Sequence, residues 1–212
     1  MNKGIIPLWR DFTPPPFPLS FPRTSDKNPF FHRGKYDIIR TMIIPAETIL
    51  EFHTLRTRCH IDCMNYFAGL LGYHFPEHDN DKNHDPIRIG YAYHNYAKYH
   101  GAHETPAQLA AFRKSNREHH RTQPHHIEYY ENIFDIPDIA IIEMVCDWAS
   151  ANFEQNHITC EGGAPNVRAF FDMELSHLPW SGHQRTLINK LIDELNKKSV
   201  YKDIVKFWTP VL

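Results

Sequence analysis

The sequence predicts an all-α protein. Apolar residues recur at intervals of three and four through several long stretches, which is the period of one face of an α-helix. An aspartate or a threonine followed by proline, a typical helix start, occurs at Asp85-Pro86 and again at Thr105-Pro106. No stretch alternates apolar and polar residues as a half-buried strand would. A helical bundle is therefore the expected architecture.

The predicted helices can be taken in order. The first carries apolar side chains at helical spacing, the second and third begin at the two proline signals, and the third stops before Pro124. The fourth places Ile141 and Val145 on one side and Glu143 and Asp147 on the other. The predicted helices run from Pro45 to Phe67, Ile87 to Gly101, Pro106 to Gln123, Pro137 to Phe153 and Ser181 to Asn196, and a short last one ends at Phe207-Trp208.

An irregular, proline-rich N-terminal arm is expected over residues 1–36, ahead of an all-α domain over residues 37–212. Seven prolines and six aromatic residues are interleaved in the first 31 positions, a pattern that no helix or central strand tolerates. Such an arm either is a polyproline ligand for a partner domain or packs its aromatic side chains against the domain behind it. The number of aromatic residues favours packing.

Composition narrows the class of protein. With 212 residues, 42% of them hydrophobic, and a net charge of −2, the chain can form one sizeable core and has no excess of basic residues for an extended nucleic-acid surface. A local basic pocket for a small phosphate ligand remains compatible with that balance. No apolar run reaches the ~18 to 20 residues of a membrane span and no secretory leader is evident, so no membrane contact and a cytoplasmic location are expected. Oligomeric state is left open.

The four cysteines are expected to be reduced thiols. They are Cys59, Cys63, Cys146 and Cys160, too few and too irregularly spaced for a disulfide scaffold. The segment from Cys59 through His60 to Cys63 could hold zinc, but its spacing matches no standard zinc knuckle, and packing in a buried helix is favoured.

The residues that carry chemistry are histidines and carboxylates. The segment from His119 to His126, HHRTQPHH, holds four of the sixteen histidines, and Pro124 would turn its end back toward His119. His119 lies on the helical face of Phe112, which favours it over His120. Neutral imidazoles and carboxylates suit Mn, Fe, Co and Zn, and several helices together could hold two ions. Nine histidines are assigned to ordinary core or surface positions: His32, His53, His74, His78, His100, His103, His157, His177 and His183.

Three motifs follow one another along the chain: His84-Asp85, then Pro124-His125-His126, then Glu143-Met144-Val145-Cys146-Asp147-Trp148. Their order resembles that of the HD-domain phosphohydrolase superfamily, especially its two-metal phosphodiesterase branch. Over roughly residues 46–160 they are similar to an uncharacterised HD-like family of bacteria and phages. That family has Ser-Lys two residues after His-Asp, where this chain has Ile87-Arg88, and Asn-Pro-His-His, where this chain has Gln123 before Pro124.

The resemblance implies a ligand set for one or two divalent transition metals. The implied ligands are His60, His84, Asp85, His119, His125, His126 and Asp147, with Asp85 bridging the two ions. Asp85, Arg88 and Glu143 would act in catalysis, and Glu143 would orient a ligand imidazole or the attacking water. Arg88, Arg117 and Arg121 would bind the substrate phosphate.

The implied activity is hydrolysis of a phosphate ester, most commonly of a nucleotide or cyclic nucleotide. Several tyrosines would either stack a base or belong to the core: Tyr91, Tyr93, Tyr96, Tyr129 and Tyr130. One alternative is an HD-like di-iron oxygenase, which has a similar ligand set and acts on a small substrate. A second alternative is a non-catalytic protein that binds a nucleotide or a partner, and this one would be expected to have lost ligands.

Overall fold

The computed structural model describes residues 44–212, and within that range the all-α prediction is confirmed. The predicted arm over residues 1–36 lies outside the described residues, as do residues 37–43 of the predicted domain. Seven α-helices and no strand are found from residue 44 onward: α1 (Ala46–Leu70), α2 (Ile87–His100), α3 (Pro106–Thr122), α4 (Asp138–His157), α5 (Val167–Phe170), α6 (Gly182–Lys198) and α7 (Tyr201–Trp208).

Helix α1 occupies the centre of the bundle. It packs against α2, α4 and α7, while α2 pairs with α3 and α4 pairs with α6. Two short 3-10 turns matter for the site, one at Asn80–Asn83 between α1 and α2 and one at Ile127–Tyr129 after α3. The packing brings α1, α3 and α4 together around the loop that precedes α2.

Helix α4 is buried on both of its faces. Its apolar side, including Ile141 and Val145, belongs to the main hydrophobic core together with residues of α6 such as Ile188 and Ile192. The predicted polar side turns toward α1, where Ser150 and Glu154 are almost fully buried. A helix that carries carboxylates on a buried face needs polar partners there, and α1 supplies them.

The start signals of the helices are confirmed in one case and wrong in another. Thr105 accepts a hydrogen bond from the backbone of Gln108, whose side chain bonds back to the Thr105 backbone, a complete capping box. Asp85 does not cap α2: the residue before its first turn is Pro86, without a side-chain cap, and the Asp85 carboxylate pairs with Arg88 instead. The predicted role of Asp85 as a helix cap is therefore wrong.

Within residues 44–212, no helix combines the length and the apolar character needed to cross a lipid bilayer.

A buried ion pair ties α1 to α4 and α2. The guanidinium of Arg56 donates to both carboxylate oxygens of Glu154, with Nε 2.7 Å from Oε1, and Tyr99 donates to the same oxygen at 2.7 Å. Burial would raise the pKa of Glu154, but the charge and the hydrogen bonds of Arg56 outweigh it and lower the pKa below its usual range. This pair lies one helical turn from His60, so it also fixes the register of the helices that form the candidate site.

Replacing Arg56 by methionine is expected to lower the free energy of unfolding by roughly 3–5 kcal/mol, because the Glu154 charge would be left buried without its partner. Urea unfolding followed by circular dichroism measures this loss. Arg58→Met is the matched control on the same helix. The Arg58 side chain is 81% exposed, and its ion pair with Asp62 is long, at 3.9 Å. The control should change stability by less than about 0.5 kcal/mol, and equal losses for the two variants would contradict the role given to the pair.

The close approach of α2 and α3 depends on Gly90. A Cβ at this position would lie 2.1 Å from Ser115 Oγ and 2.8 Å from the Ala111 carbonyl oxygen. Gly90→Ala is therefore expected to destabilise the protein by roughly 1–3 kcal/mol through overpacking, measured by the same unfolding assay. Gly69→Ala in α1 is the control, because nothing lies within 4 Å of its Cβ position and alanine favours a helix; a destabilising Gly69→Ala with a silent Gly90→Ala would contradict the packing described.

Candidate metal centre

Seven side chains from separate parts of the chain meet in the interior, and we call them the inner cluster. One comes from α1, two from the loop before α2, one from α3, two from the segment after α3 and one from α4. The members of the inner cluster are His60, His78, Asp79, His119, His125, His126 and Asp147.

Asp79 stands at the middle of the inner cluster. Its side chain is buried, and its backbone adopts the left-handed conformation at φ 57°, which aspartate tolerates better than most residues. Its Oδ2 lies 2.7 Å from Lys82 Nζ and 3.4 Å from His60 Nε2. Its Oδ1 lies 3.2 Å from His119 Nε2 and 3.5 Å from His125 Nε2. The two oxygens of this carboxylate therefore face two different sets of imidazoles.

The first set gathers around Asp79 Oδ2. His60 Nε2 is 2.9 Å from Asp147 Oδ1, and His78 Nε2 is 3.6 Å from the same oxygen and 3.8 Å from Asp79 Oδ2. Ligand atoms bound about 2.1 Å from one ion lie roughly 3 to 3.5 Å apart. Two imidazole nitrogens and two carboxylate oxygens thus converge at nearly the spacing that a single transition-metal ion requires.

The second set gathers around Asp79 Oδ1. His119, His125 and His126 each offer a ring nitrogen, and these atoms lie within 4.8 Å of one another. His126 Nε2 is 2.9 Å from His119 Nε2. As predicted, the chain turns back after α3 at Pro124, so that His125 and His126 return to His119.

Carboxylates also contact the far side of these imidazoles. His119 Nδ1 is 2.8 Å from Asp81 Oδ2, and His78 Nδ1 is 3.0 Å from Glu143 Oε1. Glu143 Oε1 also lies 3.4 Å from His125 Nδ1. A carboxylate at Nδ1 fixes the proton there and leaves the Nε2 lone pair directed inward, which is the usual arrangement of a metal-ligating histidine. Glu143 therefore lies where the sequence predicted an orienting carboxylate.

The ionisation of the inner cluster follows from its charges. Burial would lower the pKa of His78, but the charges of Asp79 and Asp147 and the hydrogen bond to Glu143 outweigh burial and raise it to about 10. Burial would raise the pKa of Glu143, but hydrogen bonds from His125 and His78 lower it to about 2. Burial would also raise the pKa values of Asp79 and Asp147, but the Lys82 ammonium and the surrounding imidazoles hold both well below their usual range, so the two carboxylates of the inner cluster stay ionised and attract positive charge.

Three buried atoms of the inner cluster lack a hydrogen-bond partner in the part of the chain that the structure describes. They are His78 Nε2, Asp79 Oδ1 and His125 Nε2. Although His119 Nε2 and His125 Nε2 lie near Asp79 Oδ1, neither meets it with hydrogen-bond geometry. Buried polar atoms are normally satisfied, because each one left without a partner costs about 1–3 kcal/mol. Each of the three atoms faces another member of the inner cluster. They are nitrogen and oxygen donors, so a divalent transition-metal ion fits their chemistry.

Thiolates take no part in the inner cluster. All four cysteines are free, as predicted, and burial raises the pKa of Cys59 to about 11 and that of Cys63 to about 12. Both thiols are therefore protonated at neutral pH and pack in the core. The nitrogen and oxygen donors of the inner cluster suit Mn, Fe, Co and Zn.

The structure corrects the position of the predicted His-Asp pair. His84 and Asp85 are exposed and lie outside the inner cluster, and Asp85 forms a surface ion pair with Arg88 at 2.9 Å. His78 and Asp79 lie in the inner cluster instead. The structure therefore does not place Asp85 where the resemblance implied a bridging ligand, and Arg88 is paired with Asp85 at the start of α2.

The other predicted arginines also lie elsewhere. Arg117 and Arg121 are exposed, and each is two residues from His119, so their side chains leave α3 on the side away from the inner cluster. The choice of His119 over His120 agrees with the structure: His119 is buried among the other imidazoles, whereas 29% of the His120 side chain is exposed.

Sequence reasoning missed His78, Asp79 and Lys82, although a signal was present. The segment from His78 to Lys82, HDNDK, is itself a His-Asp pair, and its Asp81-Lys82 stands where the resembling family has Ser-Lys. The assignment of His78 to an ordinary core or surface position overlooks this pair. In the structure His78, Asp79 and Lys82 are buried because their charges find partners inside, above all the Lys82 ammonium on Asp79.

Lys82 is held from several sides. Its backbone carbonyl accepts a hydrogen bond from His53 Nε2 at 2.8 Å, and Asn95 donates to the other ring nitrogen of His53 at 3.1 Å. Its ammonium lies 5.0 Å from the centre of the Tyr91 ring, whose face favours a cation. The sequence had left His53 among the ordinary histidines, and in the structure it positions the cation next to Asp79.

Comparisons with known proteins give a family and no activity. No curated protein matches the chain, and no solved structure matches it. The model of one family matches residues 48–199, which include the inner cluster, all but the first two residues of α1 and the whole of α2 to α6. Helix α7 lies beyond the matched residues. The chain therefore belongs to DUF5662, a family of unknown function.

Proposed function

We propose that the protein is an HD-type, metal-dependent phosphohydrolase that uses two divalent ions. The observation that carries the proposal is the geometry of Asp79, whose two oxygens face separate sets of imidazoles at 3.2–3.8 Å. The first ion would be held by His60, His78 and Asp147 with one Asp79 oxygen. The second would be held by His119, His125 and His126 with the other oxygen.

The chemistry that such ions supply is known in general terms. Two divalent ions bound together make a water molecule nucleophilic near neutral pH and neutralise charge on a phosphate ester. The residues of this chain prepare the site for that chemistry. Asp81 and Glu143 keep the imidazole protons on Nδ1, and the buried Lys82 keeps Asp79 ionised and in place.

A nucleotide is the proposed substrate class. Tyr129 and Tyr130 follow the His125-His126 pair directly, and their rings meet edge to face at 5.0 Å. Tyr130 is partly buried and packs against the hydrophobic core. Tyr129 is 46% exposed, so one aromatic face is available to a base from solvent.

One observation favours the di-iron oxygenase as a second candidate. Arg88, Arg117 and Arg121, expected to bind the substrate phosphate, lie outside the inner cluster. Lys82 does contact the inner cluster, but it is largely buried and already paired with Asp79. The same nitrogen and oxygen donors bind iron, so an oxygenase acting on a small substrate would use an identical ligand set.

Asp79→Asn is expected to abolish tight metal binding, because the bridging carboxylate would lose its charge and one of its two acceptor oxygens. Metal content after purification and reloading with Mn²⁺ is measured by plasma mass spectrometry, with circular dichroism as the check on folding. Asp85→Asn is the matched control, since Asp85 belongs to the other His-Asp pair, and it should retain the metal content of the parent. Metal loss in Asp85→Asn with full retention in Asp79→Asn would return the ligand role to Asp85.

Phosphate release separates the two candidate activities. With Mn²⁺ or Co²⁺, the protein is expected to release phosphate from at least one compound in a panel of nucleoside mono-, di- and triphosphates, and with cyclic nucleotides to release the corresponding monophosphate. Arg88→Ala should leave the rate unchanged, because Arg88 is engaged with Asp85 on the surface. A silent panel together with O₂ consumption by the iron-loaded protein would reject hydrolysis in favour of the oxygenase.

A further inference from the structure

A second group of metal-binding side chains lies beside the inner cluster, and we call it the outer triad. It consists of His120 in the last turn of α3, His126, and Glu128 in the 3-10 turn Ile127–Tyr129. Each residue offers one ligand atom, and the three atoms lie within 4.8 Å of one another. We propose that the outer triad binds a zinc ion, and that this ion weakens the hold of the inner cluster on its second metal by engaging His126.

Two members of the outer triad are already paired, because His120 Nδ1 is 3.0 Å from Glu128 Oε1. The rings of His120 and His126 are stacked with centroids 4.0 Å apart and an interplanar angle of 10°, so a turn of one ring is needed to direct both nitrogens at one ion. Two imidazoles and one carboxylate with a water molecule form a common tetrahedral zinc site. Mg²⁺ and Ca²⁺ prefer oxygen ligands, so this donor set discriminates against them.

The outer triad is accessible in a way that the inner cluster is not. The side chains of His120 and Glu128 are 29% and 55% exposed, whereas His119 and Asp79 are buried. An ion can therefore reach the outer triad from solvent while the fold stays intact. In the inner cluster, by contrast, five of the seven side chains are buried.

His126 connects the two sites. Its Nε2 lies 2.9 Å from His119 Nε2, so this ring contributes to the second set of the inner cluster. The same residue belongs to the outer triad. A zinc ion that orients the ring toward His120 and Glu128 competes with the ion that His119 and Asp79 would share. The binding of zinc to the outer triad is independent of any activity, and only its effect on the second metal rests on the proposed function.

Zinc binding is measured by dialysing the Mn²⁺-loaded full chain against a series of free Zn²⁺ concentrations, and by analysing zinc and manganese in the protein by mass spectrometry. The parent is expected to bind one more zinc ion than His120→Ala. Glu128→Gln, a substitution at an exposed side chain, should weaken the same site by roughly 10- to 100-fold. The parent should also lose manganese at roughly tenfold lower zinc than either variant.

His183→Ala is the matched control. His183 Nε2 lies 2.8 Å from Asp138 Oδ1 on the surface, an imidazole and carboxylate pair like that of His120 and Glu128 but without a third ligand in the described chain. This variant should behave like the parent. Equal zinc content in the parent, His120→Ala and Glu128→Gln would overturn the outer triad. Extra zinc in the parent without earlier manganese loss would overturn the competition for His126.

The outcomes separate the two proposals. A parent that binds no manganese but still binds the extra zinc would contradict the two-metal centre and leave the outer triad standing. Should His120→Ala fail to fold, the Glu128→Gln comparison decides the outer triad alone.

Discussion

The structure depends above all on the buried carboxylate of Asp79. An ionised group without contact to water is tolerated only if opposite charge and hydrogen bonds surround it, because its transfer from water otherwise costs several kcal/mol or more. Here Lys82 supplies the opposite charge at 2.7 Å. The imidazoles around the two oxygens come from α1, α3 and the segment after α3. Satisfying this one group therefore requires those elements to stand where they do.

The contact between α1 and α4 also depends on buried polar groups that satisfy one another, at some distance from Asp79. His60 on α1 meets Asp147 at 2.9 Å and lies close to Ser150, while Arg56 one turn earlier meets Glu154. These polar contacts lie along one face of α4, and the opposite face of α4 packs in the apolar core against α6. A one-residue shift of α4 along α1 would leave charges on both helices buried without partners. The ion pair of Arg56 and Glu154 thus sets the register at which Asp147 reaches the inner cluster.

Much of the fold could be predicted from local sequence. Helix α3 illustrates this: Thr105 and Gln108 form the capping box, and Pro124 follows the end of the helix, so both ends were determined by neighbouring residues. Five site residues were also predictable from residue type and motif order, and His119 was distinguished from His120 by its helical face. The choice between the two His-Asp pairs was not local. It depends on which loop can be buried, and that is decided by distant partners such as His60 and His119.

Burial also explains why the His-Asp pair at 78–79 is the functional candidate and the pair at 84–85 is not. Asp85 has a cation three residues away at the start of a helix, so it is satisfied at the surface by Arg88. The hydrogen-bonding capacity of Asp79 is used only in part. Lys82 pairs with its Oδ2, whereas its Oδ1 has no hydrogen-bond partner within residues 44–212. The same is true of His78 Nε2 and His125 Nε2. A cation that binds there stabilises the folded state and has no equivalent site in the unfolded chain. In this proposal metal binding and folding are coupled through Asp79. Its incompletely paired carboxylate would make the loop costly to bury without a metal, and the same carboxylate would bind the metal that gives the loop its function.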